Sequence, residues 1–324
     1  MCIRRCGLFI LLLLLDGCAA SRPEPNWTGP SNPATVQVSP WSFDGRPGHQ
    51  YRTEHYLLLS TLDDPARMNQ IAQTMEGAYQ QYLLLAPAVA RNDNPMRCYW
   101  FADRDQWAAF TREHAGSESA TYLQIVRGGY SLHDEYVAYD LGDSQTFAVA
   151  AHEGWHQFVA RNFRGRLPPF LEEGLACLFE NIRWDNDLPR WNRQTNLTRL
   201  RGLRKALARG QLWPLEELIR THAGLVVDQP SARIEAFYSQ SWAFARFMCE
   251  YQDGRYFRRL QRMLADVAEG TVFDPTGTHH RAGGEWDSAG VKPMLEYYLG
   301  QRLPMIEEEF HQFIRQITLE VMGS

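Results

Sequence analysis

The chain has 324 residues, of which 44% are hydrophobic and 12% aromatic, enough for a sizeable buried core in one or two domains. Its formal net charge is −5 and its pI is about 6.1. This balance lacks the basic excess typical of nucleic-acid-binding proteins, so no nucleic-acid partner is expected.

The N-terminus has the organisation of an export signal. Arg4 and Arg5 precede a short apolar run at 8–15. A charged start followed by a run of this length is typical of a signal peptide, because the run is too short to span a membrane as a mature helix.

The signal ends in a possible lipidation site. The sequence LDGC, which ends at Cys18, resembles a bacterial lipobox, although Asp16 replaces the small or apolar residue usual there. We expect removal of 1–17 and a lipid on Cys18 that anchors the protein in the cell envelope or periplasm. An ordinary signal peptide, giving a secreted protein, is the alternative.

The next segment, 18–48, is rich in Pro, Gly and Ser and is predicted to be a flexible tether. Beyond it, strands alternate with helices and then give way to helices alone. Strands are predicted at 56–61, 97–102, 122–127 and 136–140. Helices are predicted at 65–85, 103–113, 145–163, 170–181, 195–208, 214–220, 233–250, 254–267, 289–298 and 301–321.

This pattern predicts an α+β fold. A small mixed α/β lobe at 49–165 would be followed by a mostly helical lobe at 166–324, with the functional site between them. Three cysteines lie beyond the signal, at Cys98, Cys177 and Cys249. An odd number permits one disulfide at most, and buried free thiols are the alternative.

The most informative motif is HEGWH at 152–156, an HExxH sequence inside a predicted helix. His152 and His156 are one turn apart, so both imidazoles can reach one metal ion. Glu153, between them in sequence, can act as a general base on water. A helix-surface pair of histidines without metal is the alternative.

A second acidic helix supplies the expected third ligand. Glu173 follows His156 after sixteen residues, and three protein ligands with an open fourth position are typical of a catalytic Zn²⁺ site. Glu172 competes for this role, but the two differ by about 100° around the helix, so only one can face the metal. Glu180 is expected to be solvated, with a role behind a ligand as the alternative.

Three segments together resemble the gluzincin superfamily of zinc peptidases, of which aminopeptidase N is the best-known member. They are HEGWHQF, LPPFLEEGLACLFE and FYSQSWAFARFM, within 120–250. The resemblance implies a thermolysin-like catalytic architecture, with His152, His156 and Glu173 as zinc ligands. It also implies that Glu153 is the catalytic base and that Tyr238 donates to the oxyanion. Uncharacterised bacterial exported domains of this superfamily look most similar.

The chain departs from that pattern at several points. The spacing to the third ligand is two residues shorter than in aminopeptidase N, and Glu172 replaces the Asn before that ligand. Cys177 stands where thermolysin-type enzymes carry a supporting Asp, so the groups that orient the histidines remain open. No GAMEN-like motif for a substrate's amino terminus is present, which favours an endopeptidase.

Several residues have two readings. Tyr238 is a catalytic tyrosine by resemblance or a core aromatic by its apolar surroundings. The segment Tyr136–Asp140 is an edge strand that binds an extended peptide, or an ordinary strand. His279 and His280, in a Gly-rich loop, are expected to be solvated rather than metal-binding.

These observations predict a zinc metallopeptidase, tethered by a lipid, that cleaves peptides or proteins outside the cytoplasm. The alternative is a catalytically silent peptidase fold that binds peptides or proteins without turnover.

Overall fold

The computed structural model describes residues 27–89, 94–125, 128–132, 134–142, 145–226, 229–273 and 288–319. Helices and strands both contribute extensively, so the predicted α+β class is confirmed. The helices are α1 Pro65–Leu85, α2 Arg104–His114, α3 Ser119–Tyr122, α4 Gln145–Asn162, α5 Pro169–Cys177, α6 Leu197–Ala208, α7 Leu215–Leu218, α8 Ala223–Val226, α9 Ser231–Gly254, α10 Phe257–Glu269, α11 Val291–Leu299 and α12 Leu303–Leu319. The strands are β1 Gln37–Phe43, β2 Arg46–Arg52, β3 Tyr56–Ser60, β4 Met96–Phe101, β5 Gly129–Leu132, β6 Glu135–Tyr139, β7 Ile182–Asp185 and β8 Leu188–Trp191.

Six strands form one mixed sheet in the order β1-β2-β3-β4-β6-β5. The pairs β3–β4 and β4–β6 are parallel, whereas the remaining pairs are antiparallel. Parallel neighbours need a crossover connection, which α1 provides between β3 and β4. Among the described strands, β5 is the last strand on one side of this sheet, and β7 pairs with β8 in a separate small sheet.

Local sequence signals explain where the sheet-covering helices begin. Asp64 caps α1 by accepting a hydrogen bond from the Arg67 backbone N–H at 2.9 Å, and Pro65 occupies the first turn. Asp103 caps α2 in the same way, accepting from the Gln106 N–H at 2.9 Å. Both starts agree with the predicted boundaries.

One hydrophobic core joins the sheet to the C-terminal helices. Tyr56 of β3, Trp155 of α4, Phe244 of α9 and Phe310 of α12 all belong to the same buried cluster. A smaller cluster around Trp107 of α2 covers the opposite face of the sheet. Helix α4 therefore lies in the interior between sheet and helices, where its polar side chains can meet those of α5.

The predicted tether at 18–48 is wrong over its C-terminal part. Residues 37–43 form β1, which pairs with β2 along its whole length, from Gln37↔Arg52 to Phe43↔Arg46. Phe43 packs against Phe101 with ring centroids 5.1 Å apart. Pro40 lies in β1, the last described strand on its side of the sheet, and Pro47 precedes the part of β2 that pairs with β3. A strand tolerates Pro at such positions.

Other boundaries also differ from the prediction. The strand expected at 122–127 is wrong over its described residues, because α3 ends at Tyr122 and a turn follows. Strand β5 lies beside β6 instead. Of the two alternatives for Tyr136–Asp140, the ordinary strand is therefore the one observed, because β6 pairs with β4 on one side and with β5 on the other. Helix α5 ends at Cys177, and the unpredicted β7–β8 hairpin follows it.

Several predictions fall outside the described residues: the signal at 1–17, lipidation of Cys18, and His279 with His280.

Across the described ranges, none of the helices combines the length and apolar character needed to cross a membrane.

Candidate metal centre

Helix α4 holds His152 and His156 on one face, with their Nε2 atoms 3.3 Å apart. The opposite face is anchored in the core by Trp155, which is fully buried and packs against Tyr82 and Phe158. Trp155 is therefore a packing residue. The helix presents two imidazoles to one point because its other face is fixed.

The glycine within HEGWH has a steric reason. A Cβ on Gly154 would lie 2.7 Å from the hydroxyl of Tyr82 on α1. That hydroxyl donates a 2.5 Å hydrogen bond to the Ala151 carbonyl of α4. Any larger residue would separate the two helices and displace the histidines.

Glu173 of α5 completes a group of three ligand atoms. Its Oε2 lies 3.3 Å from His152 Nε2 and 3.6 Å from His156 Nε2. Ligands bound to tetrahedral Zn²⁺ at about 2.05 Å are about 3.4 Å from one another. Glu173 Oε2 is also buried without a hydrogen-bond partner, so two nitrogens and one carboxylate oxygen converge in a way that fits a zinc ion.

Two further carboxylates hold the histidine rings from behind. His152 Nδ1 donates to Glu180 Oε1 at 2.9 Å, and His156 Nδ1 donates to Glu172 Oε1 at 2.9 Å. Because each Nδ1 carries the proton given to a carboxylate, each Nε2 is the nitrogen available to a metal. Glu172 and Glu173 thus have different functions despite being adjacent.

The expectation that Glu180 is solvated is wrong. Only 14% of its side chain is exposed, and Asn196 Nδ2 and Arg199 donate to it at 2.6–3.0 Å. Cys177 lies nearby, with Sγ 4.0 Å from His152 Nδ1. Glu180 therefore provides the supporting carboxylate that is missing at Cys177. Its signal in the sequence is a carboxylate seven residues after Glu173, just beyond the end of α5.

The charges around the site favour a cation. Burial lowers the pKa of His156, but Glu173 and Glu172 outweigh it and raise this pKa to about 10. Burial likewise raises the pKa of Glu173, but the two histidines hold it well below its usual range. The carboxylates thus stabilise positive charge at the point where the three ligand atoms meet.

The Glu153 side chain lies close enough to His156, His152 and Glu173 to interact electrostatically with all three. Ser131 of β5 lies beside it, with Oγ 3.3 Å from Glu153 Oε2 and 3.1 Å from the Glu153 carbonyl oxygen. Burial raises the pKa of Glu153, whereas the neighbouring His156 and His152 lower it, and the net direction is upward. A carboxylate with a raised pKa is better suited to accept a proton from water near neutral pH.

Tyr238 of α9 is both a packing residue and a neighbour of the site. Its ring contacts Phe237, with centroids 5.3 Å apart, and the Arg199 guanidinium lies 5.1 Å from its ring centroid. The negative charge of Glu173, followed by burial, raises the pKa of Tyr238 and keeps the phenol protonated. The phenol can therefore donate a hydrogen bond.

Cys98, Cys177 and Cys249 are free thiols; the first two are buried and Cys249 is partly buried. Of the two sequence-based alternatives, the structure shows free thiols and not a disulfide.

Comparison with known proteins gives no match, either to a protein-family model or to a curated protein. The chemistry of the protein is therefore inferred from the residues and geometry of the site itself.

Proposed function

We propose that this protein is a zinc-dependent peptidase that cleaves within extended peptides or proteins. The proposal rests on one observation: His152 Nε2, His156 Nε2 and Glu173 Oε2 converge at 3.3–3.6 Å, and Glu153 lies beside them. A structural zinc site would have four protein ligands, whereas three with an adjacent general base are typical of hydrolytic zinc enzymes.

Each side chain has a distinct role in this chemistry. A zinc ion at this position would activate water as a nucleophile and polarise the scissile carbonyl. Glu153 accepts the proton of that water and delivers it to the leaving amine. Tyr238, protonated beside Glu173, donates a hydrogen bond to the oxygen on which negative charge develops.

The sheet edge beside the site supports an extended substrate. Within the part of the chain that the structure describes, β5 pairs with β6 alone, and it carries Ser131, which contacts Glu153. An extended peptide that adds to β5 by backbone hydrogen bonds would lie alongside the general base. This supports β5, not Tyr136–Asp140, as the strand that binds substrate.

The acidic residues next to the histidines support internal cleavage. Glu172 and Glu180, either of which could have bound a substrate's amino terminus, instead accept hydrogen bonds from His156 and His152. We therefore favour an endopeptidase over an aminopeptidase.

We also propose that a lipid on Cys18 holds the domain close to a membrane. Thr28 exchanges backbone hydrogen bonds with Trp191 at 2.9 and 2.7 Å, which fastens the chain to β8. Trp27 is nine positions after Cys18, and nine extended residues span about 30 Å. The C18S substitution should move the protein from the membrane fraction to the soluble fraction; unchanged membrane association would contradict the lipid anchor.

The peptidase proposal is tested by mass-spectrometric profiling of a proteome-derived peptide library. Zinc-loaded wild type is compared with E153Q, and with E54Q as a control because the Glu54 side chain is 83% exposed. We expect new internal termini with the wild type and E54Q, but not with E153Q, which should retain zinc. Identical products from wild type and E153Q would contradict the mechanism, and a zinc-loaded wild type without any products would favour the silent binding alternative.

A further inference from the structure

The first turn of α6 contacts both the zinc-binding face and the α9 face of the candidate site. Asn196 caps the helix by accepting a hydrogen bond from the Arg199 backbone N–H at 3.1 Å. Its Nδ2 also donates to Glu180 Oε2 at 2.6 Å and to the Cys177 carbonyl at 3.2 Å. The helix start is thereby tied to the end of α5, which places Arg199 at a defined distance from Glu180.

Arg199 holds Glu180 with two hydrogen bonds. Nε donates to Oε2 at 3.0 Å and Nη2 donates to Oε1 at 2.6 Å. The same Oε1 accepts from His152 Nδ1. The orientation of the His152 ring therefore depends on a carboxylate whose own position is set by the planar guanidinium.

The guanidinium of Arg199 also lies over Tyr238. Its central carbon is 5.1 Å from the ring centroid, within the range of a cation–π contact. Lysine could replace the charge, but it could not form two parallel bonds to Glu180 and stack on an aromatic ring at the same time. The geometry therefore uses a property that is specific to arginine.

We propose that Arg199 is a positioning residue that sets His152, through Glu180, and Tyr238 in one arrangement. This inference rests on the proposed function for the roles of His152 and Tyr238. It adds that the side chain of Arg199 links the two roles. A change at Arg199 should therefore alter both zinc binding by His152 and hydrogen-bond donation by Tyr238.

The test uses the full-length protein in detergent and three measurements on R199K. These are the zinc dissociation constant by chelator competition, the unfolding equilibrium without zinc, and kcat on any peptide that the library identifies. R201K is the matched control, because Arg201 is exposed on the same helix. We expect R199K to weaken zinc binding about tenfold. R201K should match the wild type.

The Tyr238 part is tested by a double-mutant unfolding cycle of R199Q and Y238L, because lysine and phenylalanine would retain the cation and the aromatic ring. It is also tested by the kinetics of R199K in the wild-type and Y238F backgrounds. We expect a coupling of about two- to fivefold in the unfolding equilibrium constant, as for a partly exposed cation–π pair. At saturating zinc, R199K should lower kcat in the wild type but not in Y238F. Zinc binding should be weakened by R199K in both backgrounds.

Two results would overturn the inference: zinc affinity in R199K within twofold of the wild type, or strictly additive effects in the unfolding cycle. Neither measurement requires turnover, so a failure of the peptidase proposal would be seen separately. If R199K does not fold, N196S keeps the helix cap but removes the Asn196 bond to Glu180. N196S should then weaken zinc binding, and unchanged zinc binding would contradict the Glu180 part.

Discussion

Gly174 and Ser241 bring α5 and α9 into direct backbone contact. A Cβ on Gly174 would lie 2.1 Å from the Ser241 carbonyl oxygen and 3.4 Å from the Ala245 Cβ. Gly174 immediately follows Glu173, and Ser241 is three residues after Tyr238. This close approach therefore holds the third proposed ligand and the proposed oxyanion donor in one rigid pair of helices.

We expect G174A to destabilise the protein by about 2 kcal/mol and to weaken zinc binding, because a methyl group must push the two helices apart. Thermal or denaturant unfolding and chelator competition provide the measurements. G224A is a suitable control, since a Cβ there meets only the His222 ring at 3.1–3.2 Å. Unchanged zinc affinity in G174A would show that the ligand does not depend on this contact.

The two carboxylates behind the histidines should tune metal affinity without touching the metal. We expect E172Q and E180Q each to weaken zinc binding about 10- to 100-fold, because an amide accepts a weaker hydrogen bond from the imidazole. The control variant E54Q changes an exposed glutamate beside His55 and should bind zinc as the wild type does. If both variants retain the wild-type dissociation constant, the hydrogen bonds to Nδ1 have no part in orienting the rings.

Removal of the Tyr238 hydroxyl should affect turnover more than binding. We expect Y238F to lower kcat about 10²- to 10³-fold, as for loss of one oxyanion donor, with little change in KM or zinc affinity. The measurement is steady-state kinetics on a peptide from the library, with zinc saturating. A kcat within threefold of the wild type would indicate that Tyr238 is a packing aromatic and not a hydrogen-bond donor to the oxyanion.

Glu76 of α1 should make stability depend on pH. Burial alone would raise its pKa, but hydrogen bonds from His55 and Thr53 outweigh burial and lower it. The His55 backbone N–H and Nδ1 lie 2.7 and 2.8 Å from its two oxygens. A lowered folded-state pKa means that this stabilisation is complete above the unfolded pKa of about 4.3 and is lost as the pH falls through the folded value.

We therefore expect E76Q to lower the free energy of unfolding at pH 7 by about 2 kcal/mol, and to reduce the loss of stability below about pH 5. Denaturant unfolding across this pH range measures both effects. E54Q is again the control, because Glu54 is exposed beside the same histidine. Parallel pH profiles for the wild type and E76Q would contradict the assignment.

The sequence by itself was sufficient for the elements that carry the candidate site. The predicted helix at 145–163 agrees with α4, and the i, i+4 spacing of His152 and His156 does bring their Nε2 atoms together. Local rules suffice there because a helix fixes the relative direction of residues one turn apart. Helical geometry allowed only one of Glu172 and Glu173 to face a metal, and the family resemblance favoured Glu173. The structure places Glu173 near both Nε2 atoms.

Only the tertiary structure decided which groups surround these residues. Glu180 and Arg199 come from separate elements, and no local periodicity indicates that the Arg199 side chain reaches both Glu180 and Tyr238. The choice between an edge and an ordinary strand for Tyr136–Asp140 was also decided only by the fold, because strand order depends on long-range pairing and not on the composition of a segment. Contacts within one helix are determined by neighbouring residues, whereas contacts between elements depend on how the whole core packs.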